Sequence, residues 1–435
     1  VTIYENGALP ERYQGAFFSA EPGKNTIFHY QPTPKGATFK LEQGNLITSN
    51  PDKKYAGSDF VGRGKGDHDQ NKILFRPSDI TVGPDGAIYI CDWYDPRVGG
   101  HGDSDQSCSG TIDRIAPKGF KSKTPDFDLA TVEGAITALK SPAINTRHLG
   151  LSALKKHGEK SIPSLIKLLG HSNKHVAARA IWLLPHLGEK GKSECVKLLK
   201  SDQANMRLTA YRALRRINPI GSQGTAILPY AKQLANDPDA GVRRDVALSL
   251  RDLPATLTKS IFAILAPQVD HTDKNAVEAI GLGAANQENE IWLAIKESMQ
   301  PGDPHQWSDQ FAKLTWRLWP SVAVTDLKAR ALHPSLSPEA RKLAVESLAF
   351  INHKTSVEAM LELADNERTK ADASYWLLRN GHGEWRPYNI AGELKKRGIY
   401  DPSKIKPVAV TVPAPNGKPS YTVEDVIALK GDITR

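Results

Sequence analysis

The chain has 435 residues, 40% hydrophobic and 24% charged, a balance that excludes general disorder and a length that calls for two or three structural units. Its longest apolar runs, 181–184 and 261–266, fall far short of the roughly 20 residues of a membrane-spanning helix, so no transmembrane segment is expected. Lys and Arg number 57 against 48 Asp and Glu, and the surplus sits in residues 121–300, with 25 basic against 17 acidic side chains.

That basic stretch suits an acidic protein partner. No basic stripe interleaved with aromatic residues is present, so nucleic-acid binding is not expected. The chain opens on Val1 rather than Met and reads as a piece of a longer protein. Three cysteines occur, Cys91, Cys108 and Cys195, with no CxxC and no CxxCH. A structural zinc site, a thioredoxin-type site and a haem attached by this chain are therefore not expected. Cys91 and Cys108 flank a loop. They are either two thiols or, in an oxidising compartment, a disulfide.

Residues 1–120 read as β-structure, with Gly, Pro, Asn and Asp punctuating short alternating runs. Residues 26–30 (TIFHY), 80–82 and 87–91 (AIYIC) are the clearest strands. In FRPSDITVGPDGAIYICDW, residues 75–93, a Gly-Pro-Asp-Gly turn joins two strands and predicts a hairpin. Strand–turn–strand units of this kind build propeller blades. At roughly 40–50 residues per blade the segment holds two or three of them.

A polar linker at 121–128 ends this pattern, and helical periodicity follows. Four segments resemble one another: 146–154 (TRHLGLSAL), 176–184 (VAARAIWLL), 206–214 (MRLTAYRAL) and 242–250 (VRRDVALSL). Each has a small or apolar residue at positions one and five and Leu at nine. The preceding helices carry an early proline, Pro163 or Pro229, as suits a first helical turn. Residues 121–300 are thus HEAT-like helical repeats. A later copy, 340–348 (ARKLAVESL), extends the repeats over 301–398, and six of the eight Trp, from Trp292 onward, are expected to be core residues packing between repeats. The expected fold is α+β and multidomain: a partial β-propeller followed by an α-solenoid.

The densest polar cluster runs from Cys91 to Arg114, CDWYDPRVGGHGDSDQSCSGTIDR. His101 beside carboxylates is a candidate general base, because a carboxylate fixes the imidazole tautomer and raises its basicity. Asp92, Asp95, Arg97 and His101 are the candidate catalytic residues. Arg76, Asp79 and Arg114 are the candidate cofactor-binding residues, since a guanidinium clamps an acidic group. Asp67-x-Asp69 and Asp103-x-Asp105 invite a calcium reading, but Lys72 and Cys108 stand where an EF-hand loop needs Gly, and no metal ligand set is assigned.

FRPSDITVGPDGAIYICDWYDPRVGGH, followed by GTIDRIAPKG, resembles the closing propeller blades of the planctomycete–verrucomicrobial membrane-bound dehydrogenase family. Such proteins join a propeller similar to those of sorbosone and soluble glucose dehydrogenases to HEAT repeats and a c-type cytochrome. Residues 371–385 (ADASYWLLRNGHGEW) and 423–435 (VEDVIALKGDITR) resemble the junction before the cytochrome, so 399–435 is expected to be a linker leading to that domain. Asp113 departs from the pattern, which carries an aromatic residue there. The resemblance implies an exported protein, periplasmic or membrane-associated on the outer side. It implies oxidation of a sugar or alcohol and electron transfer to a fused cytochrome. Pyrroloquinoline quinone with calcium and haem c, the latter outside this fragment, are the implied cofactors of the full-length protein. The fragment alone is expected to be inactive. The alternative is a non-catalytic HEAT module that binds protein or polysaccharide and carries a degenerate propeller.

Overall fold

Alternation of apolar and polar residues makes the N-terminal segment fold as antiparallel strands with one buried face. The computed structural model describes residues 1–50, 75–93, 110–218 and 224–401. They fall into two units, Val1–Asp245 and a second beginning at Val246. In the first, β1 (Thr2–Tyr4), β2 (Ala16–Glu21), β3 (Thr26–Lys35) and β4 (Thr38–Thr48) form an antiparallel meander in chain order. A second meander joins β5 (Pro77–Val82), β6 (Ile88–Asp92) and β7 (Thr111–Ile115). Tyr4, Phe18 and Ile27 of the first sheet share one buried core with Ile80, Ile88 and Ile90 of the second. A close backbone approach links them, where Ala8 N donates to Gly86 O at 2.8 Å. Gly86 has φ +87°, and a Cβ there would lie 2.9 Å from Ala8 N, so the turn requires glycine.

Helices follow: α1 (Val132–Leu139), α2 (Ile144–His157), α3 (Ile162–Leu169), α4 (Lys174–Leu183), α5 (Gly188–Lys197), α6 (Ala204–Ile217), α7 (Leu228–Leu234) and α8 (Ala240–Ser249). Thr131 caps α1 by accepting from Gly134 N, and Asn173 caps α4 by accepting from His175 N and Val176 N. Pro163 and Pro229 stand in the first turns of α3 and α7, where a missing N–H costs no helical hydrogen bond. The fifth repeat position is small so that helices approach: Gly150, Ala180 and Ala210 are buried, and a Cβ on Gly150 would fall 2.4 Å from Leu139 N. Successive repeats are also tied by ion pairs. Arg207 meets both carboxylate oxygens of Asp237 at 2.6 and 2.7 Å, and Arg212 meets Asp245 at 2.6 and 2.9 Å.

The second unit contains α9 (Ala255–Leu265), α10 (Lys274–Gly283), α11 (Glu288–Met299), α12 (Asp309–Leu318), α13 (Val324–Leu332), α14 (Pro338–Ala349), α15 (Lys354–Ala364), α16 (Lys370–Gly381) and α17 (Ile390–Lys396). Trp292, Trp307 and Trp385 are buried, and Trp292 Nε1 donates to Thr315 Oγ1 at 2.9 Å. The chain is α+β, with small antiparallel sheets followed by a helical repeat region. Among the described residues no helix is long and apolar enough to cross a membrane. The linker expected over 399–435 lies outside the described residues from 402 onward.

Candidate functional site

The β5–β6 hairpin positions the residues selected from the sequence. Its Gly-Pro-Asp-Gly turn closes through Gly83 N to Ala87 O at 2.8 Å and Gly86 N to Gly83 O at 2.9 Å. Asp85 accepts from Ala87 N, Tyr89 Oη and Ser122 Oγ. Burial opposes its ionisation, but these three hydrogen bonds and the Arg114 charge outweigh burial and hold the carboxyl below its usual range.

At the open end of the hairpin, Asp92 is buried at the last position of β6. Its Oδ1 accepts from Arg76 N at 2.7 Å, and Trp93 N donates to Arg76 O at 2.9 Å. Arg76 is 1% exposed. Its Nη1 donates to Pro22 O at 2.7 Å, across to the turn after β2, where Asn25 Nδ2 also donates to Phe75 O at 2.8 Å. Asp92 and Arg76 are thus brought together through a backbone N–H, while the guanidinium fastens one sheet to the other. Asp79 is exposed beside a β-bulge, and its Oδ1 accepts from Ile80 N at 2.8 Å. Arg114 is exposed on β7 opposite Tyr89. Asp95, Arg97 and His101 lie outside the described residues, as do the Asp67–Asp69 and Asp103–Asp105 pairs. Cys91 is exposed on β6, and its pairing with Cys108 falls outside the described residues.

Arg76 Nη1 donates to Pro22 O inside the protein, and no group of three His, Cys, Asp or Glu among the described residues is placed to hold a metal ion.

A second feature was not selected from the sequence. A groove of about 740 Å³ runs over the outer face of the four-stranded sheet. Ile3, Phe17, Phe39 and Leu41 line its apolar part, and Glu5 and His175 stand at its polar part. Ile3, Phe39 and Leu41 are 44%, 53% and 53% exposed, a contiguous apolar surface of the kind that marks interaction sites. His175 Nε2 is buried without a hydrogen-bond partner among the described residues. Burial lowers the His175 pKa, the Lys174, Arg179 and Arg147 charges lower it further, and Glu5 opposes them. The signal for this groove was the alternation of Phe39 and Leu41 with Lys40 and Glu42.

Residues 1–104 match a family described as a domain of unknown function (DUF7133). Residues 162–251 match HEAT repeats, the assignment expected for the helical region. No curated protein matches the chain. Among solved structures, human deoxyhypusine hydroxylase in complex with glycerol is similar at 18% identity, over 58% of this chain and 96% of its own, with a TM-score of 0.23. The complex of CpcE and CpcF of phycocyanin lyase from Nostoc sp. PCC7120 is similar at 17% identity, over 64% and 100%, with a TM-score of 0.20.

Proposed function

We propose that this chain belongs to an exported dehydrogenase of the planctomycete–verrucomicrobial membrane-bound type. Its sheets are the closing blades of a propeller, and its helical repeats lead to a c-type cytochrome. A quinone at the propeller mouth would supply the two-electron acceptor for oxidation of a sugar or alcohol, and the haem would take the electrons onward. The observation that supports this reading is the clamp between Asp92 and Arg76, because it anchors the start of the segment carrying Asp95, Arg97 and His101 on two sheets at once. In this reading His101 is the general base toward the substrate hydroxyl, and the neighbouring carboxylates orient its ring.

The test uses the full-length, cofactor-loaded protein and reduction of an artificial electron acceptor by a panel of sugars and alcohols. His101→Ala should lower turnover by about 10²–10⁴ and leave the melting temperature unchanged. Absence of acceptor reduction with every sugar and alcohol would overturn the proposal. The apolar groove over the four-stranded sheet favours a second reading, a non-catalytic binding module.

A further inference from the structure

Edge strands of soluble proteins are normally shortened, bulged, covered, or blocked with proline or lysine, because their free N–H and C=O groups template pairing with another chain. Over its first half β4 carries only the lysine. It runs 11 residues without a proline and is an outer strand of its sheet among the described residues. It pairs with β3 in unbroken register from Thr38 to Asn45, and the one irregularity, at Ile27 and Phe28 of β3, lies beyond that stretch. Phe39, Lys40, Leu41, Glu42 and Gln43 are all exposed. Arg244 donates to Ala37 O and fixes the turn end of the strand.

The phase of the ladder tells which backbone groups are free. Pro32 stands opposite Leu41 and Pro34 opposite Phe39, and neither proline has an N–H to give to β4. These are therefore pairs whose backbone groups point away from each other. Lys40 O, between them, accepts from Thr33 Oγ1 at 3.3 Å and so faces β3. Phe39, Leu41 and, by the same alternation, Gln43 turn their N–H and C=O groups outward. Among the described residues no hydrogen bond reaches these three backbones from the open side.

We infer that β4 pairs antiparallel with β4 of a second copy of this chain, about a two-fold axis at Leu41, so that the two sheets become one. An axis at an outward-facing residue bonds that residue to its own copy, and Phe39 then meets Gln43 of the second copy on either side. About six interchain hydrogen bonds result. The charges select this partner and this register. Lys40 and Glu42 flank the axis, so Lys40 of each chain stands directly opposite Glu42 of the other, in the closer, non-hydrogen-bonded kind of pair. Within one chain the two meet at 3.5 Å with their side chains 64% and 63% exposed, a contact worth little. Exchanging it for two cross-strand pairs therefore costs little. An axis at Phe39 would set Lys40 opposite Thr38, and one at Gln43 would set Glu42 opposite Gly44, with no ion pair in either case. On the other face Leu41 meets Leu41 of the second copy with the two Phe39 rings diagonal to it, which covers side chains that are 53% exposed in one chain. The inference does not rest on the dehydrogenase reading.

The test is sedimentation velocity of the full chain over a range of concentrations, with the melting temperature of each variant. The unaltered chain should form a reversible dimer. Leu41→Pro removes the outward N–H at the axis, which β3 does not use, so it should leave a monomer with a melting temperature near that of the unaltered chain. Lys40→Glu and Glu42→Lys each set like charges opposite one another and should each weaken the dimer about tenfold. Mixed together, these two variants bring glutamates against lysines and should form a heterodimer as tight as the unaltered dimer. Lys40 and Glu42 alternate with the groove-lining Phe39 and Leu41, so a dimer formed face to face through the groove would not show this exchange of charges. A monomer at every concentration up to the solubility limit, a dimer that survives Leu41→Pro, or charge variants that fail to associate when mixed would each overturn the inference.

Discussion

Arg179 holds Glu5 through two donors on one oxygen, with Nη2 at 2.6 Å and Nε at 3.0 Å from Oε2. Its remaining Nη1 donates to Leu139 O and Ser141 O at 2.8 and 3.0 Å, so a helix side chain from α4 joins the end of α1 to the segment after β1. Arg147 reaches the same carboxylate oxygen at 3.0 Å. The sheets and the first helices of this unit are therefore fastened by one half-buried carboxylate.

Glu5→Ala strands the Arg179 guanidinium, which is 9% exposed, without its counter-charge. Removing one partner of such a pair costs about 3 kcal/mol. Arg147→Ala leaves the Arg179–Glu5 pair intact and should cost under about 1 kcal/mol. Urea unfolding of the full chain measures both. Equal costs would show that Arg179 is not the fastening residue.

His175 predicts the acid side of the stability curve. Its folded-state pKa lies below the ordinary 6.5, chiefly through burial. A base with a depressed folded pKa contributes stability that is present above 6.5 and is lost as pH falls through the folded value, because the unfolded state takes up the proton first. His29 and His186 shift in the same direction, burial being the largest cause for each. The urea midpoint should therefore fall as pH drops below about 6.5, and His175→Gln should flatten part of that slope. An unchanged slope would place the loss elsewhere.

The helical repeats were readable because their packing repeats locally. Gly150, Ala180 and Ala210 occupy the fifth position for one reason, the closeness of neighbouring helices. Cys195 reads from its helix as a core residue, and it is fully buried, with burial pushing its thiol up to about 12. Glu5 was unreadable because its partners stand 142 and 174 residues away, and no local pattern announces them. The full length of β3 was hidden by Pro32 and Pro34. They fit because β2 pairs only as far as Tyr30, so the rest of β3 is an edge on that side and a missing N–H is tolerated. Arg76 and Asp92 were both selected as candidate site residues, in different roles, but no sequence pattern tells a guanidinium that donates to a backbone carbonyl from one that awaits a ligand.

Asp92 separates anchoring from chemistry. Its carboxylate accepts from Arg76 N inside the protein. Asp92→Asn keeps an oxygen acceptor at that position and removes the charge, whereas Asp92→Ala leaves a buried N–H without it. The Ala variant should lose about 1–3 kcal/mol, the cost of an unsatisfied buried donor, and the Asn variant much less. Turnover of the full-length protein then decides the role. If Asp92 only anchors the segment that follows, the Asn variant retains activity and the Ala variant loses it together with stability. If its negative charge acts on His101 or on the substrate, the Asn variant loses turnover while its melting temperature stays near that of the unaltered protein. In the clamp the buried carboxylate accepts from a backbone N–H through Oδ1, the contact on which the first outcome depends.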